Sequence, residues 1–400
     1  VLEQTNKYIE IEEMYGANIY APLPVVLEWG VGSSVWDIEG KKYIDFLSGY
    51  SALSLGHSHP EIVETAIQQL QTLNLTSRAF RTKAWTDFAE KICNYFGAKK
   101  VLPMNSGAEA VETSIKVARK WGHVIKNIPD GDQQIIVFNG NFHGRTTTVI
   151  SFSSNYNYQH GFGPLTSGFI SVPFGDIEAV KHELRRNVCA VLVEPIQGEG
   201  GMRVPPDGFL EELEIRCYQS NTLLIADEIQ TGLGRTGYAL ASQGYHVRPD
   251  LVLLGKALGG GILPISVVMD MRGDILTVLN PGDHGSTFGG NPLAAAIAST
   301  TLDIIHRDNL CSRSLTNGII MQNFIKDINS PIVKEIRGRG LMIGVELTVK
   351  ARPVCLELME LGVLCYYTKE NILRLTPPLV ITEAELFFTL NKIKEVLKCK

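Results

Sequence analysis

The sequence predicts an α/β protein with a large, mostly parallel, doubly wound sheet and a smaller α+β domain formed by the C-terminal part and the N-terminal segment. Two observations predict it. From about residue 60 to 300, helix-like segments alternate with short apolar runs, and Gly-rich or acidic loops follow those runs. After Asn291-Pro292 the alternation gives way to a long helical stretch and then to strand-like runs. At 400 residues the chain exceeds the usual size of one domain, so two are expected.

The N-terminal "VLEQTNKYIEIEEMYG" is acidic and helix-like, unlike a signal or transit peptide, and Val1 is not an initiator methionine. "PVVLEWGVGSSVWDIEGKKYIDF", Pro24 to Phe46, alternates apolar and polar residues around Gly-containing turns and reads as a small antiparallel meander. Residues 1–46 are expected to pack with the small domain. The large domain, 47–292, takes its strands from "KVLPM", "QIIVF", "AVLVEP", "TLLIADE", "DLVLLGK" and "PISVVM". The small domain, 293–400, contains the helix after Pro292, then "IVKEIRGRGLMIGVEL" and "ILRLTPPLV".

Composition excludes several classes of function. A net charge of −5 with both signs interspersed argues against nucleic acid and against an anionic membrane surface. No run approaches the roughly 18 apolar residues of a membrane span. Cysteines 93, 189, 217, 311, 355, 365 and 399 are odd in number, scattered and without a C-x-x-C pair. They fit reduced thiols, and so the cytoplasm, or the mitochondrial matrix if a leader has been removed. His57 and His59 in "GHSHP" lack a third ligand nearby, and no metal is expected.

In doubly wound sheets, ligands bind beyond the C-terminal strand ends. Asn105-Ser106-Gly107, Glu194, Asp227, Gln230 and Lys256 interrupt the apolar pattern there. In "VLLGKALGGG", Lys256 lies between a buried-looking strand and three glycines. Most lysines snorkel to solvent; one that cannot must neutralise, pair or react. In "PMNSGAEAVET" a strand ends, Ser106-Gly107-Ala108 turn, and a helix begins. That is either an ordinary Ser cap or a helix N-terminus open to phosphate. Asp227 ends an apolar strand, where a carboxylate caps a helix, pairs with a cation or serves a ligand, and Gln230 reaches the same space. Together, a phosphate-binding helix end, a buried carboxylate and a desolvated lysine are the parts of a pyridoxal 5′-phosphate site.

With those residues in view, "DEIQTG" followed by Arg235-Thr236-Gly237, then "PDLVLLGKALGGG", resembles the signature of the class III pyridoxal-phosphate aminotransferases. "NSGAEAVET", "NFHGRT", "VEPIQGEGG" and "HGSTFGGNP" match that family in order, and the resemblance covers essentially the whole chain. It implies fold type I and a homodimer with shared active sites, or a higher oligomer built from it. It also implies that Lys256 forms the cofactor's Schiff base and moves the proton, that Asp227 pairs with the ring nitrogen and that Gln230 contacts the ring hydroxyl. Phe142 stacks on the ring with His143 beside it. Ser106, Gly107 and Ala108 surround the phosphate, and Ser286 and Thr287 reach the phosphate of the neighbouring subunit.

Within the family, "YGANIYAPLPVVLEWG" and "LTSRAF" are similar to the branch that moves the δ-amino group of L-ornithine to 2-oxoglutarate. That similarity implies Arg145 and Tyr20 on the donor's α-carboxylate and α-amine, and Tyr50 shaping the pocket. It also implies a gate in which Glu199 masks Arg374 until the oxo acid or glutamate arrives. Without the resemblance, "ILRLTPPLV" would read as a strand whose Arg faces solvent. His143 stands where Trp is frequent in the animal enzymes, and Gly234 where Ala is also common. Three other readings are an acetylornithine or 4-aminobutyrate ω-aminotransferase, an aminomutase that needs no gate, and a non-catalytic binding protein. Tyr50 opposes the first, and the joint presence of Lys256, Asp227 and Arg145 opposes the last.

Overall fold

A computed structural model describes residues 3–398; Cys399 lies outside them. The N-terminal meander consists of β1 (Leu27–Val31), β2 (Ser34–Asp37) and β3 (Lys42–Asp45), paired antiparallel. The large sheet contains β4 (Lys100–Met104), β5 (Gln134–Phe138), β6 (Phe169–Val172), β7 (Val188–Val193), β8 (Leu223–Asp227), β9 (Leu251–Leu254) and β10 (Ser266–Asp270). A third sheet follows from β11 (Val333–Arg339), β12 (Met342–Leu347), β14 (Tyr366–Thr368) and β15 (Ile372–Leu375). Short β13 (Val363–Leu364) leaves that region to pair in parallel with β3, so the meander and the C-terminal part share a sheet.

The large sheet runs β4-β10-β9-β8-β7-β5-β6. The pairs from β9 through to β6 are parallel, whereas β10 is antiparallel to both β4 and β9. All six strands read from the sequence are present. The edge strand β6 was not among them, because "FISV" is only partly buried and follows a loop rich in Gly and Ser. Strands β7, β8 and β9 are buried along their whole length, which explains their unbroken apolar runs.

Arg235 ties distant segments together. Its guanidinium is wholly buried, with Nη1 donating to the carbonyls of Leu341 (2.9 Å) and Pro377 (2.6 Å). Nη2 donates to Ser54 Oγ at 3.1 Å and Ser48 Oγ at 3.4 Å. Burial, and then the charge of Arg374, pushes its pKa down to about 9. Its partners are carbonyls and hydroxyls, which keep a buried cation solvated without neutralising it.

Candidate active site

The ends of β4, β5, β7, β8 and β9 converge on a cavity of about 200 Å³. Gly107, Ala108, Phe142, His143, Asp227 and Lys256 line it. At the β4 end, Ser106 caps the helix Gly107–Val124. Its hydroxyl accepts from Glu109 N at 3.2 Å, while the Glu109 carboxylate accepts from the amides of Asn105 (2.9 Å) and Ser106 (2.6 Å). The Ser106 side chain is therefore occupied and exposed, and it is Gly107 and Ala108, from the unpaired first turn, that reach the cavity.

The "NFHGRT" loop folds back onto that turn. Gly144 has a φ of 128°, and a Cβ there would stand 2.9 Å from the Cβ of Ala108, so glycine is required on both counts. This approach delivers Phe142 and His143 to the cavity and leaves Arg145 exposed, its guanidinium carbon 5.5 Å from the centre of the Phe142 ring. The Arg145 guanidinium lies 3.7 Å from the centre of the Tyr158 ring.

Asp227 and His143 are both buried, and His143 Nδ1 lies 2.6 Å from Asp227 Oδ2. Ile229 N donates to the other oxygen at 3.1 Å. Burial opposes a charge on His143, but the Asp227 bond and charge outweigh it and push the imidazole pKa above its ordinary value. Glu194, at the end of β7, accepts from Phe142 N at 3.0 Å. Burial pushes its pKa up to about 7; His143 lowers it and Asp227 raises it.

Lys256 has a left-handed backbone, φ 42°, in the short turn after β9. Burial, followed by the charge of Arg374, pushes its amine down to about 8. The apolar wall expected from the sequence is thus only part of the cause. Gln230, with its amide oxygen turned to the two cations, accepts from Lys256 Nζ at 3.2 Å and from Arg374 Nη2.

Arg374 is wholly buried, which corrects the solvent-facing position that periodicity alone would assign. Both faces of its strand are covered, and it forms an ion pair with Glu199. Burial works against a carboxylate at Glu199, yet Arg374 holds its pKa below the usual range. Tyr50 places its ring centre 4.8 Å from the Arg374 guanidinium carbon and is itself left-handed, with φ 56°. Tyr20, largely exposed, lies near enough to Tyr50 to influence its ionisation.

The structure therefore gathers Gly107, Ala108, Phe142, His143, Asp227, Gln230 and Lys256 around one cavity. Tyr50, Glu199 and Arg374 adjoin it through Gln230. Ser286 and Thr287 are not among its lining residues. Ser286 accepts from Asn105 Nδ2 at 2.9 Å and lines a separate crevice with Arg78 and Trp85. The sequence reading left Glu194 without a role and did not pair His143 with Asp227. It missed Tyr158 altogether, since "SSNYNYQH" carries no motif.

The ornithine aminotransferase of Brevibacillus brevis is 50% identical over 396 residues, covering 99% of this chain and 99% of that protein. The ornithine aminotransferase of Toxoplasma gondii, in a structure with partial occupancy of PLP at the active site, superposes with a TM-score of 0.98 at 41% identity. That match covers 100% of this chain and 95% of the other. The acetylornithine aminotransferase of Elizabethkingia anophelis superposes with a TM-score of 0.89 at 43% identity, covering 98% of both chains. The family described as aminotransferase class-III matches residues 15–397, and the chain belongs to it.

Proposed function

We propose that the chain is a pyridoxal 5′-phosphate-dependent enzyme that transfers the δ-amino group of L-ornithine to 2-oxoglutarate. The products are glutamate and glutamate 5-semialdehyde, which cyclises to pyrroline-5-carboxylate. The cavity suits the cofactor: it has a buried carboxylate for a pyridinium nitrogen, an amine near neutrality, and a helix N-terminus for a phosphate. When bound, the cofactor supplies an electron-withdrawing ring that carries an amino group from one carbon skeleton to another.

The chain's own residues would divide the work. Asp227, oriented by His143, would hold a proton on the ring nitrogen, and Gln230 would meet the ring hydroxyl. Phe142 would cover the ring face, and Gly107 and Ala108 would take the phosphate with Ser106 at the rim. Lys256 would hold the cofactor and move a proton at the substrate carbon, a role suited to an amine with a pKa of about 8. Ser286 and Thr287 would complete the phosphate site of a second copy, so the functional unit would be a homodimer with shared sites. Unpaired thiols favour the cytoplasm.

The observation that carries the choice of substrates is the Glu199–Arg374 pair beside Lys256. Ornithine's carboxylate and α-amine would be held at the mouth by Arg145 and Tyr20, with Arg374 masked by Glu199. With glutamate or 2-oxoglutarate, Glu199 would release Arg374 to grip the α-carboxylate. A second reading, N-acetylornithine as donor, is favoured by the likeness to the Elizabethkingia enzyme. Tyr50 opposes it by filling the space beside Arg374.

The test is a donor comparison. The purified, cofactor-loaded protein is mixed separately with L-ornithine, N-acetylornithine and 4-aminobutyrate, without an oxo acid, and the cofactor's visible absorption is followed. Fastest bleaching by ornithine supports the proposal, and faster bleaching by either rival replaces the donor. A protein with no visible band would remove the cofactor and the proposal with it.

A further inference from the structure

Tyr20 lies on a stretch with no regular structure, between the helix ending at Tyr15 and the start of β1 at Leu27. The backbone bonds of residues 16–23 are local: Gly16 N to Glu12 O, Ile19 N to Ala17 O and Val25 N to Leu23 O. Such a segment has little of its own to hold a side chain in place.

It is gripped from the side instead. Arg352 Nη1 donates to Ala21 O at 2.8 Å and Nη2 to Pro22 O at 3.0 Å, a two-pronged hold on successive carbonyls. The Tyr366 hydroxyl donates to the same Ala21 oxygen at 2.7 Å. Arg352 lies in the first turn of the helix Ala351–Glu360, and Tyr366 stands directly opposite Arg374 in the β14–β15 pairing. The Tyr366 ring also stacks on Tyr367, with centroids 4.7 Å apart. One short piece of sheet thus carries Arg374 and anchors the residue next to Tyr20.

We infer that Arg352 and Tyr366 are positioning residues that fix Tyr20 over the site and so select a donor with a second amino group. The inference rests on the placement of Tyr20 at the ornithine α-amine proposed above. A diamine donor leaves one ammonium outside the reacting centre, and that ammonium needs an acceptor such as a phenol. Glutamate has no second ammonium, and its α-carboxylate would be met by Arg374 as proposed above. The clamp therefore acts on one half-reaction and not on the other.

The experiment compares Arg352→Gln, Arg352→Lys and Tyr366→Phe with Tyr20→Phe as reference. Each cofactor-loaded variant is mixed with ornithine or glutamate in single half-reactions, and amide hydrogen exchange is followed over residues 16–23. Arg352→Gln should raise the half-saturating ornithine concentration about tenfold and Tyr366→Phe about threefold. Limiting rates and the glutamate constants should stay within about twofold, and exchange over 16–23 should quicken. Arg352→Lys, which keeps the charge but cannot grip two carbonyls at once, should recover only part of the loss.

Equal losses with both donors would overturn the inference, because they would report a general structural defect. So would an ornithine defect in Tyr20→Phe that neither clamp variant shares. If Tyr20→Phe itself leaves ornithine unaffected, the assignment of Tyr20 falls first and the clamp loses its purpose. If Arg352→Gln fails to fold, Tyr366→Phe, which deletes a single hydroxyl, decides alone.

Discussion

His143 and Asp227, brought together from the loop after β5 and the end of β8, share a 2.6 Å hydrogen bond in the floor of the cavity. Removing the imidazole leaves a buried carboxylate with one backbone donor. His143→Leu is expected to destabilise the cofactor-free protein by about 1–3 kcal/mol and to weaken cofactor binding about tenfold or more. Because the folded pKa of His143 is raised, the bond's contribution is complete below about pH 6.5 and fades as pH rises through the folded value. Thermal melts of both proteins at pH 6 and pH 9, with equilibrium cofactor titrations, check this; a constant difference between the melts would contradict it.

Lys256 gives the opposite dependence on pH. Its folded pKa of about 8 lies below the ordinary 10.5, so the unfolded chain binds that proton more tightly. The cost to the folded state is complete below about pH 8 and vanishes near 10.5. Lys256→Met should abolish turnover yet stabilise the cofactor-free protein at pH 7, by about 1–3 kcal/mol, with the gain shrinking at pH 10. Urea unfolding at the two pH values measures it, and a variant less stable than the parent at pH 7 would refute it.

Glu199→Gln keeps the shape of the Arg374 contact and removes its negative charge. With Arg374 unmasked, the half-reaction with ornithine should slow about tenfold or more, while that with glutamate is retained. Stopped-flow measurement of each half-reaction separates the two. Parallel slowing of both would show that Glu199 does not act as a gate.

Tyr50 tests donor size, but its φ of 56° governs the choice of replacement. Isoleucine, β-branched, would add backbone strain to any effect on the pocket. Glycine takes that conformation freely, so Tyr50→Gly is the cleaner variant. It should raise the preference for N-acetylornithine over ornithine by about tenfold, judged from the ratio of kcat/KM values. An unchanged ratio would mean that Tyr50 does not discriminate.

The parts of this molecule that were legible in its sequence are those written in local patterns. The apolar runs of β7, β8 and β9, the capping sequence at Ser106 and the isolated polarity of Asp227 and Lys256 each carry a local physical signature. Other features depend on residues far apart in the chain. Nothing near "ILRLTPPLV" announces that Arg374 is buried, because its cover comes from Tyr50 and Glu199. The pairing of His143 with Asp227 spans 84 residues. The antiparallel β10 and the edge strand β6 differ from their neighbours in direction and exposure, which composition records poorly. Resemblance to a family named many of these residues, but only the geometry pairs His143 with Asp227 and couples Lys256 to Arg374.

Arg235 also sets an order on synthesis. Two of its acceptors, Ser48 and Ser54, precede the guanidinium in the chain, but the carbonyls of Leu341 and Pro377 are made well after it. Until then a cation destined for the interior has half of its acceptors missing, and closing the core around it is unfavourable. That favours a region that stays open to water until Leu341 and Pro377 have emerged. Completion of the core around Arg235 thus waits on residues made 106 and 142 positions after it.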